Sequence, residues 1–325
     1  MTEALFRSAR PEDAEDIARM VAALSGAERE PPPRFDAQIC RRDGFGAKPL
    51  FSVLMTEIAG RPAGYVLYHP SYDTDRVVRA VWLADLYVES WARGRGLGRQ
   101  LAAEVANLSR ADKVQAMHWA VLRRNLPARR FYARFAREDD SLLHCFMTEE
   151  ALGRLARSPK LSAAAIRPAG PSDAALLGRL VKALLLSLGE TDSVPDPAPH
   201  LAADGFGASP WFRALIAEIG EEVAGYALYW PIYDTELGGP LTFLSDLLVN
   251  EGRRGSGVAE DLMAAVARQA VAAGHKGMAW EVLRHNQRAR AFYRRLAEEN
   301  EETIVVNCVG EDFRRLATEA SAALC

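Results

Sequence analysis

The sequence predicts an α/β protein built from two tandem copies of one fold, each a mixed β-sheet flanked by helices. Three observations carry that expectation. The chain has 325 residues, about twice a typical domain of roughly 150. A shift of 161 residues lays most of it onto itself, with 19 of the 32 positions from Asp43 to Thr74 identical to Asp204 to Thr235 without a gap; so long a period is a whole domain and not a solenoid unit. Within each copy, apolar runs suited to strands alternate with helical spacing, which is mixed α/β order. The domains are expected at 1–158 and 163–325, joined around Pro159.

Each copy opens with a short strand, Ala4 to Ser8 and Ala164 to Arg167. A proline suited to a first helical turn follows (Pro11, Pro171), then an aspartate suited to the helix dipole (Asp13, Asp173). A Pro-rich loop leads to paired strands, Phe51 to Ile58 with Gly64 to His69, and Phe212 to Ile219 with Gly225 to Trp230. The second of each pair is expected to stop at Pro70 or Pro231, because proline cannot donate to a ladder. Ala80 to Val88 and Leu241 to Val249 are apolar almost throughout, as in a strand buried on both faces. After a Gly-rich turn, Leu97, Leu101, Val105 and Leu108, and Val258, Leu262 and Val266, fall at helical spacing. A strand (Met117 to Leu122; Met278 to Leu283), an Asn-started helix and a last strand (Leu142 to Met147; Thr303 to Cys308) complete each unit.

Composition narrows the function classes. Apolar residues are 49% and charged residues 26%, close to the average for globular chains, which excludes wholesale disorder and a membrane-embedded protein. The net charge of −3 gives no global drive toward nucleic acid or anionic membranes. The four cysteines, Cys40, Cys145, Cys308 and Cys325, form no Cys-x-x-Cys pair, which argues against a zinc site or a disulfide framework. The first residues mix acids and bases without the layout of a secretory signal, so a reducing cytoplasm is the expected compartment. The halves differ in charge: 25 Lys and Arg face 21 Asp and Glu in residues 1–160, against 15 and 22 in the remainder, so a cationic substrate is expected to favour the second half.

Two motifs carry chemistry. The turn Arg93-Gly94-Arg95-Gly96-Leu97-Gly98 lies between a buried strand and a helix N-terminus, and returns as Arg254-Gly255-Ser256-Gly257-Val258-Ala259. Glycines there let several N–H groups converge with the helix dipole on a phosphate, and a pyrophosphate is the natural ligand. The turn follows the wrong strand for a dinucleotide fingerprint and lacks the Lys-Ser/Thr ending of a P-loop. The second motif is Asn125-x-x-Ala128-x-x-Phe131-Tyr132, repeated as Asn286-x-x-Ala289-x-x-Phe292-Tyr293. The asparagine caps a helix, and seven positions later the tyrosine lies on the same face. That tyrosine either packs against the sheet or points into the cleft beside the turn.

Together, in this order and twice, these motifs resemble the Gcn5-related N-acetyltransferase (GNAT) superfamily. The segments Asp43 to Ala47, Gly64-Tyr65, Tyr72-Asp73-Thr74, Asp85-Leu86-x-Val88 and Trp119-x-Val121-Leu122 look more narrowly like its diamine (spermidine/spermine) branch. The resemblance implies a centrally splayed sheet, direct acetyl transfer from acetyl-coenzyme A to a small primary amine, and no metal. It places coenzyme A against Val88, Arg93 to Gly98 and Asn125 in one copy, and against Val249, Arg254 to Ala259 and Asn286 in the other. Tyr132 and Tyr293 take the general-acid position, Asp85 and Asp246 lie next to the expected base, and Asp73, Asp234, Glu28 and Glu190 face the amine. The chain departs from that branch where an acid should precede Asp85 and Asp246, since Ala84 and Ser245 stand there. Acetylation of a protein or peptide amine, or one copy serving only as an acyl-coenzyme A-binding or structural domain, are the alternative readings. The sequence leaves the oligomeric state open.

Overall fold

The computed structural model describes residues 4–189 and 196–320. Its first half runs β1 (Ala4–Ser8), α1 (Ala14–Glu28), α2 (Ala37–Gly44), β2 (Ser52–Ile58), β3 (Arg61–Asp73), β4 (Val78–Val88), α3 (Leu97–Ser109), β5 (Ala116–Leu122), α4 (Leu126–Tyr132), β6 (Arg137–Asp139), β7 (Leu142–Thr148) and α5 (Glu149–Ala156). The second half repeats the order: β8 (Ala165–Pro168), α6 (Ala174–Leu188), α7 (Ala198–Gly205), β9 (Arg213–Ile219), β10 (Glu222–Asp234), β11 (Gly239–Val249), α8 (Val258–Ala272), β12 (Gly277–Leu283), α9 (Gln287–Tyr293), β13 (Glu298–Asn300), β14 (Thr303–Val309) and α10 (Gly310–Ala317). Glu190 lies outside the described residues.

The described residues form two seven-stranded sheets, ordered β1-β2-β3-β4-β5-β14-β6 and β8-β9-β10-β11-β12-β7-β13. Each sheet therefore receives its sixth strand from the other half. β14 pairs antiparallel with β5 from Thr303 opposite Leu122 to Val309 opposite Ala116, and β7 pairs with β12 from Leu142 opposite Leu283 to Thr148 opposite Gly277. The expectation that Leu142 to Met147 and Thr303 to Cys308 each close their own copy is corrected here. The helices travel with their strands: α10 packs on α3, and α5 packs on α8. Val306, Cys308, Phe313 and Leu316 are thus buried in the first half's core, while Leu143, Cys145, Leu152 and Leu155 are buried in the second half's.

A second exchange involves the strand-to-strand turns after β3 and β10. Tyr72 and Val77 join the apolar cluster under α6 with Phe212, while Tyr233 joins Phe35 and Phe51 under α1 and α2. The hydroxyl of Tyr233 donates to Asp43 Oδ2 at 2.8 Å, and Arg79 Nε donates to Asp204 Oδ1 at 2.7 Å. The two Asp-Gly-Phe-Gly segments thereby dock the opposite copy's arm.

Neither β3 nor β10 stops at its proline. Beyond Tyr68, β3 pairs with β4 alone, and beyond Tyr229 β10 pairs with β11 alone. A residue without an N–H is tolerated on such a one-sided stretch, so Pro70 and Pro231 continue the strands.

Two irregularities open each sheet where chemistry can occur. The register between β3 and β4 shifts between Leu67 opposite Asp85 and Tyr68 opposite Leu83, leaving Ala84 as the extra residue; Ser245 is skipped in the same way in β11. Such a bulge bends a strand and re-aims its side chains. The parallel pairing of β4 with β5 registers only Ala80 with Ala116 through Trp82 with His118, and that of β11 with β12 only Thr242 with Met278 through Leu244 with Trp280. Past those pairs the strands diverge, and a cavity of about 1260 Å³ between the halves is lined from both clefts.

The exchange predicts that residues 1–158 alone, without β14 and α10, do not form a stable monomer, because β5 keeps an open edge and Phe313 and Leu316 are missing from the core. Co-expressed with 159–325, the same segment should co-purify as a folded pair. A monodisperse 1–158 monomer that melts cooperatively would show that β7 can close its own sheet.

Candidate active site

Each cleft begins at a glycine turn. Gly94 and Gly96 have φ of 78° and 82°, and Gly255 and Gly257 have 77° and 85°, a region that favours glycine. Gly96 and Gly257 are the residues from which α3 and α8 start. Arg93 Nε donates to the Val88 carbonyl at 2.9 Å, and Arg254 Nε to that of Val249 at 3.3 Å. These arginines lock the turn to the end of its strand, and Arg95 and Ser256 are exposed between the glycines. A side chain built on Gly96 would meet no described atom within 4 Å, so the turn at the start of α3 is open. Such a surface fits a pyrophosphate. Leu97 and Val258 are buried under the turns, while Gly98 approaches Phe131 of α4, where an added Cβ would lie 3.2 Å from the ring.

Opposite each turn stands the asparagine-capped helix. Asn125 Oδ1 accepts from Ala128 N at 3.2 Å, and Asn286 Oδ1 accepts from Ala289 N at 3.1 Å. Tyr132 packs tilted against the buried Trp119 with ring centres 4.9 Å apart, and Tyr293 against Trp280 at 5.1 Å. Both tyrosines line the cavity. Burial raises both hydroxyl pKa values well above the ordinary range, helped by Glu28 and Asp85 at Tyr132, and by Cys145 and Asp246 at Tyr293. Each stays a proton donor at neutral pH.

Asp85 and Asp246 lie buried beneath the bulges, and each is held by both halves of the chain. Tyr65 OH donates to Asp85 Oδ2 at 3.0 Å, and Thr235, from the second half, donates to Oδ1 at 3.1 Å. Reciprocally, Tyr226 OH donates to Asp246 Oδ2 at 2.7 Å, while Ser245 and Thr74 Oγ1 donate to Oδ1 at 2.8 and 2.9 Å. Burial raises the pKa of both carboxyls. Asp85 is pushed up to about 7, since the nearby charges of Asp234 and Glu28 add to its desolvation.

Crossing of the arms changes which acids belong to which cleft. Asp234 and Glu236 act electrostatically on Asp85, and so does Glu28, whose Oε1 accepts from Asn125 Nδ2 at 3.0 Å. Sequence reasoning assigned Asp234 to its own copy and passed over Glu236, whose counterpart at the matching position is Asp75. Glu236 is exposed, yet partial enclosure and the charges of Asp234, Glu30, Asp85 and Glu28 push it up to about 7. Asp234 itself is raised by burial and accepts only backbone donors in its turn, including Leu237 N at 2.8 Å.

Asp73, its counterpart, is neutralised. It accepts from Arg76 N and Arg76 Nη1 at 2.9 Å and faces His118 Nε2 at 3.5 Å; burial opposes its charge, but His118 and Arg76 hold it down to about 2. The equivalents of Arg76 and His118 are Leu237 and Ala279. The first cleft is therefore strongly acidic in spite of its half's positive sum, while on the other side Glu281, pushed up to about 7 by burial, feels the charges of Asp75 and Asp139. The Arg123-Arg124 pair lies on acids: Arg123 pairs with Asp140 at 2.6 Å, and Arg124 with Glu30. Among the described residues no group of three or more His, Cys, Asp or Glu is placed to hold a metal, and no helix is long and apolar enough to cross a membrane.

Comparison with known proteins agrees with this geometry. The model of the acetyltransferase (GNAT) family matches residues 15–136 and 183–297. A bovine (Bos taurus) thialysine N-epsilon-acetyltransferase is 30% identical over 169 residues, covering 48% of this chain and 99% of its own. A human spermidine/spermine N(1)-acetyltransferase-like protein 1 is 29% identical over 135 residues, 39% of this chain and 19% of its own. Among solved structures, a tandem GNAT protein from the clavulanic acid biosynthesis pathway is similar in fold, with a TM-score of 0.50 at 14% identity, covering 94% of this chain and 98% of its own.

A carboxyl titrating above its unfolded value near 3.8 binds its proton more tightly in the folded state, so it makes stability fall as pH rises from about 4 to about 7. Replacing Asp85 by Asn removes that slope. Urea unfolding should show wild type losing on the order of 3 kcal/mol relative to Asp85→Asn across that window, and no relative change above it. A flat difference would place the Asp85 pKa near its unfolded value.

Proposed function

From the premise that the chain belongs to the acetyltransferase (GNAT) family, we propose that its first cleft moves an acetyl group from acetyl-coenzyme A to a small cationic primary amine. The observation that carries this reading is the set of carboxylates Glu28, Asp85, Asp234 and Glu236, which act on one another electrostatically and line the cavity with Tyr132. Carboxyls raised by one another's charge and by burial gain most from a bound cation, since an ammonium restores each to its charged form. The relatives support an amine acceptor, being thialysine and spermidine/spermine acetyltransferases or similar to them.

Acetyl-coenzyme A supplies an activated acyl group on a thioester whose sulfur departs as a thiolate. Gly94, Gly96 and the first N–H groups of α3 would hold its pyrophosphate, with Arg93 fixing the turn. Asp234, Glu236 and Glu28 orient the acceptor's ammonium, and their charge raises the amine's own pKa, so a base is needed to free the lone pair. Asp85 in its carboxylate form takes up that proton, fixed by Tyr65 and Thr235. Ala84 carries no proton acceptor, and the bulge at that position leaves its neighbour Asp85 lining the cavity. Tyr132 remains protonated and donates to the leaving sulfur.

Turnover assays on the full chain with acetyl-coenzyme A and a panel of amines test this reading. Tyr132→Phe keeps the ring on Trp119 and removes only the proton donor, so kcat should drop by about tenfold or more with little change in melting temperature. Because the active base is the carboxylate, kcat/KM should rise with pH through an apparent value near 7, a limb that belongs to the coupled carboxyls and not to one group.

A further test is charge selectivity. Asp234→Asn with Glu236→Gln should raise KM for a diamine by about tenfold while changing that for an uncharged aromatic amine by about twofold or less. Equal shifts for both acceptors would remove these residues from recognition.

A further inference from the structure

The second glycine turn is not equivalent to the first. Gly96 is exposed, whereas Gly257 is half-covered. A Cβ built on Gly257 would lie 2.7 Å from Leu161 Cβ, 3.1 Å from its carbonyl carbon and 3.2 Å from its carbonyl oxygen. The covering segment is the linker between the halves. It is pinned there by a buried carboxylate in the first turn of α8: Leu161 N donates to Asp261 Oδ1 and Ser162 N to Asp261 Oδ2, each at 2.8 Å, and Ser162 Oγ donates to Oδ2 as well.

Charge points the same way. The first turn of α8 carries Glu260 and Asp261 where α3 carries Arg99 and Gln100. Arg99 pairs with Glu319, and Gln100 Nε2 donates to Glu104 and to the carbonyl of Glu319, so α3 presents no uncompensated acid at that point. At α8 the acid already satisfies two linker N–H groups and would repel a phosphate brought beside it. The linker's path is also fixed at both ends, because α5 packs on α8 and β8 pairs with β9 of the same half.

We propose that the chain binds one acyl-coenzyme A, on the turn Arg93 to Gly98, and that the linker around Leu161 and Ser162 is the standing occupant of the second turn. The second half then contributes Thr235, Asp234 and Glu236 to the first cleft instead of turning over itself. This rests on the acetyl-transfer reading, in that the glycine turns are taken as coenzyme A cradles.

The test uses the full-length chain with coenzyme A as the probe. Calorimetry should give a single equivalent, and Arg95→Asp, which puts an acid on the exposed first turn, should weaken it by about tenfold or more. Hydrogen exchange at saturating coenzyme A should show added protection in 93–98 and no change in 254–259 or at the amides of Leu161 and Ser162. Two equivalents, binding that survives Arg95→Asp unchanged, or faster exchange at Leu161 and Ser162 with added protection in 254–259 would each overturn the proposal. Failure of the chain to bind coenzyme A at all would overturn the acetyl-transfer reading with it.

Discussion

The architecture depends on the pairing of β14 with β5 and of β7 with β12. Each ladder joins strands from opposite ends of the repeat, and each brings a helix whose apolar face completes the other half's core. Burial of large side chains such as Phe313 and Leu316 on one side, and Leu152 and Leu155 on the other, contributes roughly 1.5–3 kcal/mol apiece. With both ladders formed, the two clefts face one chamber. The arms after β3 and β10 then reach across it, and this is how Thr235 comes to hold Asp85 and Thr74 to hold Asp246.

On this nearly symmetric frame the charges are distributed unequally. Asp73 is matched by Arg76 and His118, while at Asp234 those two places are taken by Leu237 and Ala279. One arm therefore delivers a compensated acid and the other an uncompensated one. The opposite inequality holds at the helix starts, where the first turn of α3 carries no acid and α8 buries Asp261 against the linker. An acidic wall and an open glycine turn consequently coincide in one cleft. Summing charge over a half-sequence pointed to the other cleft, because the sum follows chain order while the field follows space.

What the sequence made legible was local in origin. The glycines of the turns announce positive φ, Asn125 and Asn286 announce helix caps, and the 161-residue shift exposes the repeat; each depends on neighbours within a few positions or on comparison of the chain with itself. The strand exchange left no such mark. Leu142 to Met147 and Thr303 to Cys308 alternate in the same way whichever sheet accepts them, and two homologous edges offer the same register. Glu236 was invisible for a related reason: its partners Glu28 and Asp85 lie in the other copy, and no motif in its own arm distinguishes it from a solvated turn residue. Pro70 misled because a proline rule for central strands was applied to a stretch with a single neighbour.

The ladder between β5 and β14 also sets a timetable for synthesis. Ala116 leaves the ribosome long before Val309, its partner, and at translation rates of about 5–20 residues per second the interval is roughly 10–40 s. Throughout it, β5 presents a bare, apolar edge to the cell, and neither half can reach its final core. The nascent chain thus passes most of its synthesis with that edge unpaired, and contacts of such long sequence separation slow folding.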